Sequence, residues 1–323
     1  MGEIVDVYHD ECKEGGYWHG FFVVPRKARA DLLSLLNKSR KITKLSSSLH
    51  YVNTSKAKKT QGVYLATKAW TSIGTASLQQ QKLETLPSGL FLGASPGVKR
   101  PRMNYGLLPS LMKCKLSVVK IRNEDGIDKM FYRGINDLRN IEITFRMALQ
   151  GALHRFYDQD DQVKIGNIYI DGDEHYKGLY KREFDTKDIM GRLKIKARDY
   201  ISFSEDSRII PQRSDHNKIE KNQNYDDSQF LQMCDILIGG VRFYSAKYAK
   251  GSSRCDISFP CKVLLEKNQE SFARMEESRF FNSFLLSEAW IENGEWQFSN
   301  LKIMDKEVNK SKQKSLFDKY EKS

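Results

Sequence analysis

The sequence has no long hydrophobic segment, no internal repeat and no clustered cysteines. No apolar run approaches the roughly 18 residues that a membrane-spanning helix needs. The five cysteines include no Cys-x-x-Cys pair and have no histidine at zinc-finger spacing. The first residues are acidic and strand-like, which is not typical of a signal peptide. This pattern argues against a membrane protein, a disulfide framework and a zinc finger, and it favours a cytoplasmic chain with reduced thiols.

Acidic residues are in the minority. The chain has 53 Lys plus Arg against 41 Asp plus Glu, which gives a net charge of +12 and a pI near 9.3. A surplus of this size favours a polyanionic partner, and nucleic acid is the commonest. The alternative is a basic surface without a specific partner. The hydrophobic content of 40% is sufficient for a globular core.

The hydrophobic pattern predicts an α/β protein with a mixed sheet flanked by helices. An opening hairpin and a third strand lead into strands that alternate with helices, and the main predicted elements lie at residues 3–10, 16–25, 27–41, 113–122, 131–158, 166–170, 176–192 and 227–251. Two further strands are predicted between 196 and 212. The composition predicts an insertion at about 41–110 in a domain of residues 1–250. Residues 251–323 are predicted to be an extension with a charged tail and a hairpin at Asn293-Gly294.

Acids follow two of the predicted strands directly. Asp10 and Glu11 end the first strand, and Asp171 and Asp173 end the strand after the long helix. If these strands are neighbours in one sheet, their tips come within a strand spacing or two. Glu11 points to the opposite face if the strand continues. Strand-end aspartates also stabilise turns, so a turn is the alternative role.

A further acid lies inside an apolar helix, in "FLQMCDILIGG". Asp235 is on the shoulder of the buried stripe, where a carboxylate is costly unless it is paired or bound to a metal. Pairing with a buried Arg or Lys is the alternative. We expect Gln232, one turn earlier, to steady this carboxylate, and Asp227 to cap the helix.

Convergence of Asp10, Asp171 and Asp235 is tolerable only with cations between the carboxylates. Ligation by oxygen alone suits Mg²⁺ or Mn²⁺. Such ions activate an attacking water and stabilise the leaving oxygen of a phosphodiester. An acidic pit on a basic chain therefore predicts a metal-dependent nuclease that acts on DNA or RNA.

Three motifs, "YHDEC", "IYIDGD" and "DSQFLQMCDILIGG", resemble the signature of the bacterial family called domain of unknown function 3800. The resemblance covers most of residues 3–250, and the last motif is its most specific part. It implies a ribonuclease H-like fold with Asp10, Glu11, Asp171 and Asp235 as the catalytic acids. It also implies a phage-defence or mobile-element system, with a protein partner in a defence complex.

The chain departs from the family pattern at two places. Cys12 replaces the usual Ser after the acidic pair. His50 stands where members often have a Glu-x-His-like element, with Ser48 in place of the acid. Lone histidines near the other motifs, at His9, His154 and His175, are more often packing or surface residues than proton carriers.

Two cationic stretches are candidates for phosphate contact, and solvated loops are the alternative. Their basic residues are Lys56, Lys58, Lys59, Lys99, Arg100 and Arg102. Two other functions are kept open. One is a catalytically inactive nucleic-acid-binding or scaffolding module with the same fold, and the other is a metal phosphohydrolase that acts on nucleotides.

Overall fold

A computed structural model gives the arrangement of most of the chain. It describes residues 2–13, 16–54, 57–58, 61–79, 113–122, 135–171, 186–212, 225–245, 257–262, 264–266, 283–293 and 295–301.

The strands are rich in β-branched and aromatic residues, as the sequence predicts. They are β1 Glu3–Cys12, β2 Tyr17–Pro25, β3 Lys115–Ile121, β4 Val163–Asp171, β5 Ile201–Phe203, β6 Ile209–Gln212, β7 Phe284–Glu292 and β8 Glu295–Asn300. The main helices are α1 Arg29–Thr43, α2 Tyr51–Thr54, α3 Gly62–Gln79, α4 Ile135–Phe156, α5 Thr186–Ile195 and α6 Tyr225–Ser245, and a short 3₁₀ helix, Arg26–Ala28, precedes α1.

All eight strands belong to one sheet with the order β5-β4-β1-β2-β3-β7-β8, and β6 also pairs with β4. The pairs β1–β2, β2–β3 and β7–β8 are antiparallel, whereas β4 pairs in parallel with β1, β5 and β6, and β7 pairs in parallel with β3. This confirms the mixed α/β class and the opening hairpin. β5 and β6 lie end to end along β4.

Alternate residues of the central strands supply two cores, one on each face of the sheet. Tyr8 and Phe22 face a core that includes residues of α1, α3 and α6. Val7 and Phe21 face the other core, against α4 and α5. The helix α6 is buried around most of its circumference because it packs on the sheet and also contacts α2 and α3.

Part of the predicted insertion at 41–110 belongs to this architecture. Trp70 of α3 is fully buried in the core that contains Tyr8, and its indole N–H donates to Ser39 Oγ of α1 at 2.6 Å. The predicted C-terminal hairpin likewise extends the main sheet, because β7 pairs with β3. The division at residue 250 stays a prediction, but the two proposed units share one sheet.

A β-bulge interrupts the pairing of β1 with β4. Val5 pairs with Ile165 and Val7 with Ile168, so β4 has one extra residue between these two pairs. Both isoleucines face the core on the α4 side. Beyond the bulge, Tyr169 faces the core on the α6 side.

The bulge folds around a buried carboxylate. Asp6 is fully buried and accepts a hydrogen bond from Asn167 N–H at 2.8 Å. A Cβ atom on Gly166 would lie 2.4 Å from Asp6 Oδ1 and from Arg26 Nη2, so only glycine fits there. Arg26 and Arg29 both pair with Asp6, at 3.1 and 2.8 Å. This compensated charge fixes the strand that ends in the candidate site.

Two exclusions drawn from the sequence can be compared with the structure. In the part of the chain that the structure describes, every helix is too short or too polar to cross a bilayer. Cys12, Cys114, Cys234 and Cys261 form no disulfide with one another, and the expectation of reduced cysteines stays a prediction.

Candidate metal centre

Two of the predicted acids lie at the ends of neighbouring parallel strands. Asp10 and Asp171 each follow the paired residues His9 and Ile170 of β1 and β4. Neighbouring strands are about 4.8 Å apart, and the bulge gives both aspartates the same parity as Tyr8 and Tyr169, which face α6. The sheet therefore brings Asp10 and Asp171 to one edge on one face.

The helix α6 delivers the third acid to the same edge. It crosses the sheet at Gly20, where an added Cβ would lie 2.1 Å from Ile238 Cγ1. The thiol of Cys234 lies over β1 and donates to the carbonyl oxygen of Tyr8 at 3.3 Å. Asp235 follows Cys234 directly and is only partly exposed. This close approach of helix and sheet positions Asp235 beside the strand ends.

The charges of the other two aspartates act on Asp10. Burial raises the pKa of Asp10 well above its ordinary value of 3.8, and the charges of Asp171 and Asp235 raise this pKa further. The backbone N–H of Glu11 donates to Asp10 Oδ1 at 2.8 Å, which opposes the shift. Asp10 therefore lies near enough to both other aspartates for their charges to act on it, as the predicted convergence requires.

The segment before α2 covers Asp235. The backbone N–H of Tyr51 donates to Asp235 Oδ2 at 2.9 Å, and His50 Nδ1 lies 3.5 Å from the same oxygen. Gln232 accepts hydrogen bonds from the Leu49 N–H at 2.9 Å and from Arg40 Nη2 at 2.6 Å. Gln232 therefore steadies the backbone that holds Asp235.

The two glycines that end the "CDILIGG" motif have a packing role. A Cβ on Gly239 would lie 2.1 Å from Cγ of the Tyr51 ring, and a Cβ on Gly240 would lie 2.5 Å from Cys261 Sγ. The Tyr51 ring can lie against α6 only because Gly239 has no side chain. The motif therefore supplies the Asp235 carboxylate and also the surface against which Tyr51, the donor to that carboxylate, packs.

Glu11 lies apart from the three aspartates, with its side chain on the α4 side of the sheet. One potential ligand atom from each of His9, Glu11 and His19 lies within 4.8 Å of the others. His9 Nε2 and His19 Nδ1 are 2.9 Å apart. Burial lowers the pKa of His9 well below 6.5 and lowers the pKa of His19 to about 3, so both imidazoles are neutral.

Asp227 does not cap α6 as predicted. The helix begins at Tyr225, two residues earlier, and Asp227 lies in its first turn. Its carboxylate accepts hydrogen bonds from Tyr8 Oη at 2.9 Å and from Arg29 Nη2 at 2.7 Å. The ion pair with Arg29 ties the start of α6 to the start of α1, and the hydrogen bond from Tyr8 ties it to the sheet. Local sequence does not reveal this role.

Most of the remaining predicted residues lie outside the part of the chain that the structure describes. Lys58 is exposed and follows α2 closely. His154 lies on α4 with its ring edge-on to Tyr200, at 6.4 Å between ring centroids. The other candidates lie outside the described residues and are Asp173, His175, Lys56, Lys59, Lys99, Arg100 and Arg102.

No family model, no curated protein and no solved structure matches the chain. The functional interpretation therefore depends on the geometry of its own residues.

The predictions from sequence did not include His19 and Thr144, whose side chains contact each other at 2.8 Å. The signal for His19 was the hairpin register, because a turn near residue 15 places it opposite Glu11.

Proposed function

We propose that this protein is a metal-dependent nuclease that hydrolyses phosphodiester bonds in DNA or RNA. One observation carries the proposal: Asp10, Asp171 and Asp235, from three distant parts of the chain, converge on one face at one edge of the sheet. The net charge of +12 on the chain supports a polyanionic substrate.

The three carboxylates fit a divalent cation. The pKa of the buried Asp10 is raised by two neighbouring negative charges, and a cation between them would remove this repulsion. An oxygen-only ligand set suits Mg²⁺ or Mn²⁺. When bound, such an ion activates an attacking water and stabilises the leaving oxygen of a phosphodiester.

The surrounding residues orient the carboxylates. The Glu11 N–H holds one oxygen of Asp10, and the Tyr51 N–H holds one oxygen of Asp235. The half-buried His50 is placed to hold a proton at Nδ1 beside Asp235. Lys58, a short distance along the chain from His50, is available for a substrate phosphate.

The finer assignments belong to the same proposal. The antiparallel strands β3-β2-β1, continued by the parallel β4 and β5, have the order expected for a ribonuclease H-like sheet. The motifs around Asp10, Asp171 and Asp235 support membership in the domain of unknown function 3800 family. A role in phage defence, with a partner in a defence complex, follows from that membership, and the scattered cysteines favour a cytoplasmic location.

The test measures cleavage of end-labelled single-stranded DNA, duplex DNA, RNA and an RNA–DNA hybrid with Mn²⁺ or Mg²⁺. We expect the wild-type protein to cleave at least one substrate, and Asp171→Asn and Asp235→Asn to lose this activity. Asp199→Asn is the matched control, because Asp199 is exposed and precedes β5, which pairs with the start of β4 at the opposite end of the sheet. Equal activity in all four proteins would exclude the proposal.

The same assay separates catalysis from binding. Tight, strongly salt-dependent binding without cleavage by any of the proteins would indicate an inactive binding or scaffolding module. Cleavage of nucleotides but not of polymers would indicate a phosphohydrolase.

A further inference from the structure

The opposite face of the same strand end has a second group of ligand-type side chains. They belong to His9, Glu11 and His19, whose ligand atoms lie within 4.8 Å of one another. Glu11 and His19 are direct partners in the β1–β2 hairpin, and His9 is two residues before Glu11 on the same face. Strand register, rather than a loop, thus holds the three side chains together.

A hydrogen bond at Nε2, the ring nitrogen that faces away from the cluster, fixes the orientation of His19. His19 Nε2 lies 2.8 Å from Thr144 Oγ1, and Thr144 Oγ1 donates to the carbonyl oxygen of Ile141 at 3.1 Å. Thr144 Oγ1 therefore accepts a hydrogen bond from the Nε2–H of His19, which leaves the lone pair of Nδ1 directed at the cluster. Metal-binding histidines almost always have such a partner on their second nitrogen.

Aromatic rings restrict His9. The ring of Phe145 meets it edge-on at 4.7 Å between centroids, and the ring of Phe21 lies 4.8 Å away. His9 and His19 are buried, whereas Glu11 is partly exposed. The cluster thus has two rigid buried ligands and one ligand at the solvent boundary, where a water can complete a coordination sphere.

We propose that His9, Glu11 and His19 bind a single Zn²⁺ ion at a site separate from the three aspartates. Two imidazoles and one carboxylate form a ligand set that zinc accepts, with a fourth position left open. Imidazole suits Zn²⁺, whereas ligation by oxygen alone suits Mg²⁺ or Mn²⁺. The two faces of β1 therefore select different metals.

The change needed for binding is small. His9 Nε2 and His19 Nδ1 are 2.9 Å apart and share a hydrogen bond. Two Zn–N bonds of about 2.05 Å at a tetrahedral angle place their nitrogens about 3.3 Å apart. The rings must separate by a few tenths of an ångström and tilt until both lone pairs point at the ion, and His9 moves its proton from Nε2 to Nδ1. The proton count of the pair is unchanged.

Cobalt titration of the metal-free protein tests this site, because tetrahedral Co²⁺ has intense visible bands that Zn²⁺ abolishes on displacement. The titration is made in the Asp235→Asn background, which removes one aspartate from the other site. We expect one equivalent of tetrahedral Co²⁺. Thr144→Val should weaken binding about 10- to 100-fold, and Glu11→Gln, which removes a direct ligand, should weaken it more.

Cys12→Ser is the control for thiol ligation, because Cys12 also lies at this strand end and a thiolate is a strong zinc ligand. The Co²⁺ spectrum and Co²⁺ affinity of this variant should match those of the parent protein, which keeps Cys12. Circular dichroism establishes that each variant is folded. The proposal is overturned if no tetrahedral bands form, if Glu11→Gln binds as tightly as its parent, or if Cys12→Ser abolishes the bands.

Discussion

Asp10 and Glu11 are consecutive residues with different surroundings. Successive side chains of a strand point to opposite faces, so Asp10 joins the aspartates under α6 and Glu11 joins His9 and His19. The Glu11 N–H nevertheless donates to Asp10 Oδ1. One residue thus contacts both groups, through its backbone on one face and its carboxylate on the other.

Replacing Asp10 with Asn should abolish cleavage and stabilise the metal-free fold at neutral pH. Because the pKa of Asp10 is raised in the folded protein, the native state binds more protons than the unfolded state. The stability of the wild-type protein therefore falls as the pH rises from about 3.9 through the folded pKa. Urea unfolding with a chelator present should show a larger gain for Asp10→Asn at pH 8 than at pH 5.

Addition of Mn²⁺ is the complementary measurement. It should raise the unfolding midpoint of the wild-type protein but not that of Asp10→Asn, because a ligand that binds only the native state stabilises it. A variant that is less stable than the wild type at pH 8, with the chelator present, would contradict the account of Asp10.

Acids at strand ends were easier to predict from the sequence than contacts between side chains of different elements. Asp10 and Asp171 could be found from the sequence because an apolar run that ends in an acid marks a strand tip wherever the strand lies. The contact of His19 with Thr144 could not, because it joins β2 to α4. Such a contact depends on register and helix placement, which local patterns do not encode.

At the level of elements, α6 organises the site through its shape as well as its carboxylate. Gly20 and Gly239 are the points where the sheet and the Tyr51 ring approach this helix most closely. Asp227, paired with Arg29, fixes the beginning of the helix. The sequence predicted the helix and Asp235, but it misplaced the helix start because Asp227 resembles a cap while its partner is 198 residues away.

Gly239→Ala should destabilise the protein by about 1–3 kcal/mol, since the added methyl group overlaps the Tyr51 ring in a packed interior. Displacement of Tyr51 also removes its N–H from Asp235, so nuclease activity should fall although every carboxylate remains. Urea unfolding and the cleavage assay measure the two effects.

Gly151→Ala in α4 is the matched control. A Cβ at Gly151 has no atom within 4 Å, so the substitution should stabilise the helix by about 0.5–1 kcal/mol through propensity alone. If Gly239→Ala resembled Gly151→Ala in stability and activity, the packing role of Gly239 would be refuted.

At the level of the whole molecule, charge and topology were predictable to different degrees. The net charge of +12 follows from composition alone. The pairing of β7 with β3 does not, because about half of the chain separates Ile121 from Phe284 and a parallel pair leaves no turn signature. The predicted C-terminal extension consequently proved to include two strands of the main sheet.

Binding of the protein to duplex or single-stranded nucleic acid should weaken linearly on a log–log plot against salt concentration. Each lost phosphate contact reduces the slope by about 0.9 for duplex DNA. We expect Lys58→Ala to show this reduction and Lys194→Ala not to. Lys194 is also exposed, but it lies in the last turn of α5, shortly before β5 in the chain, and β5 pairs with the start of β4, away from the aspartates. Identical slopes for the two variants would remove Lys58 from the interface.

The bulge keeps the two halves of β4 in phase with β1. Three residue steps separate Ile165 from Ile168, against two from Val5 to Val7, yet both isoleucines face the α4 side. If the same residues paired without a bulge, every side chain beyond it would face the other side of the sheet, and Asp171 would lie beside His9 and Glu11 instead of Asp10. Deleting the extra residue, by contrast, would leave Asp171 with Asp10. The conformation of the bulge, rather than residue identity, therefore decides which ligand group Asp171 joins.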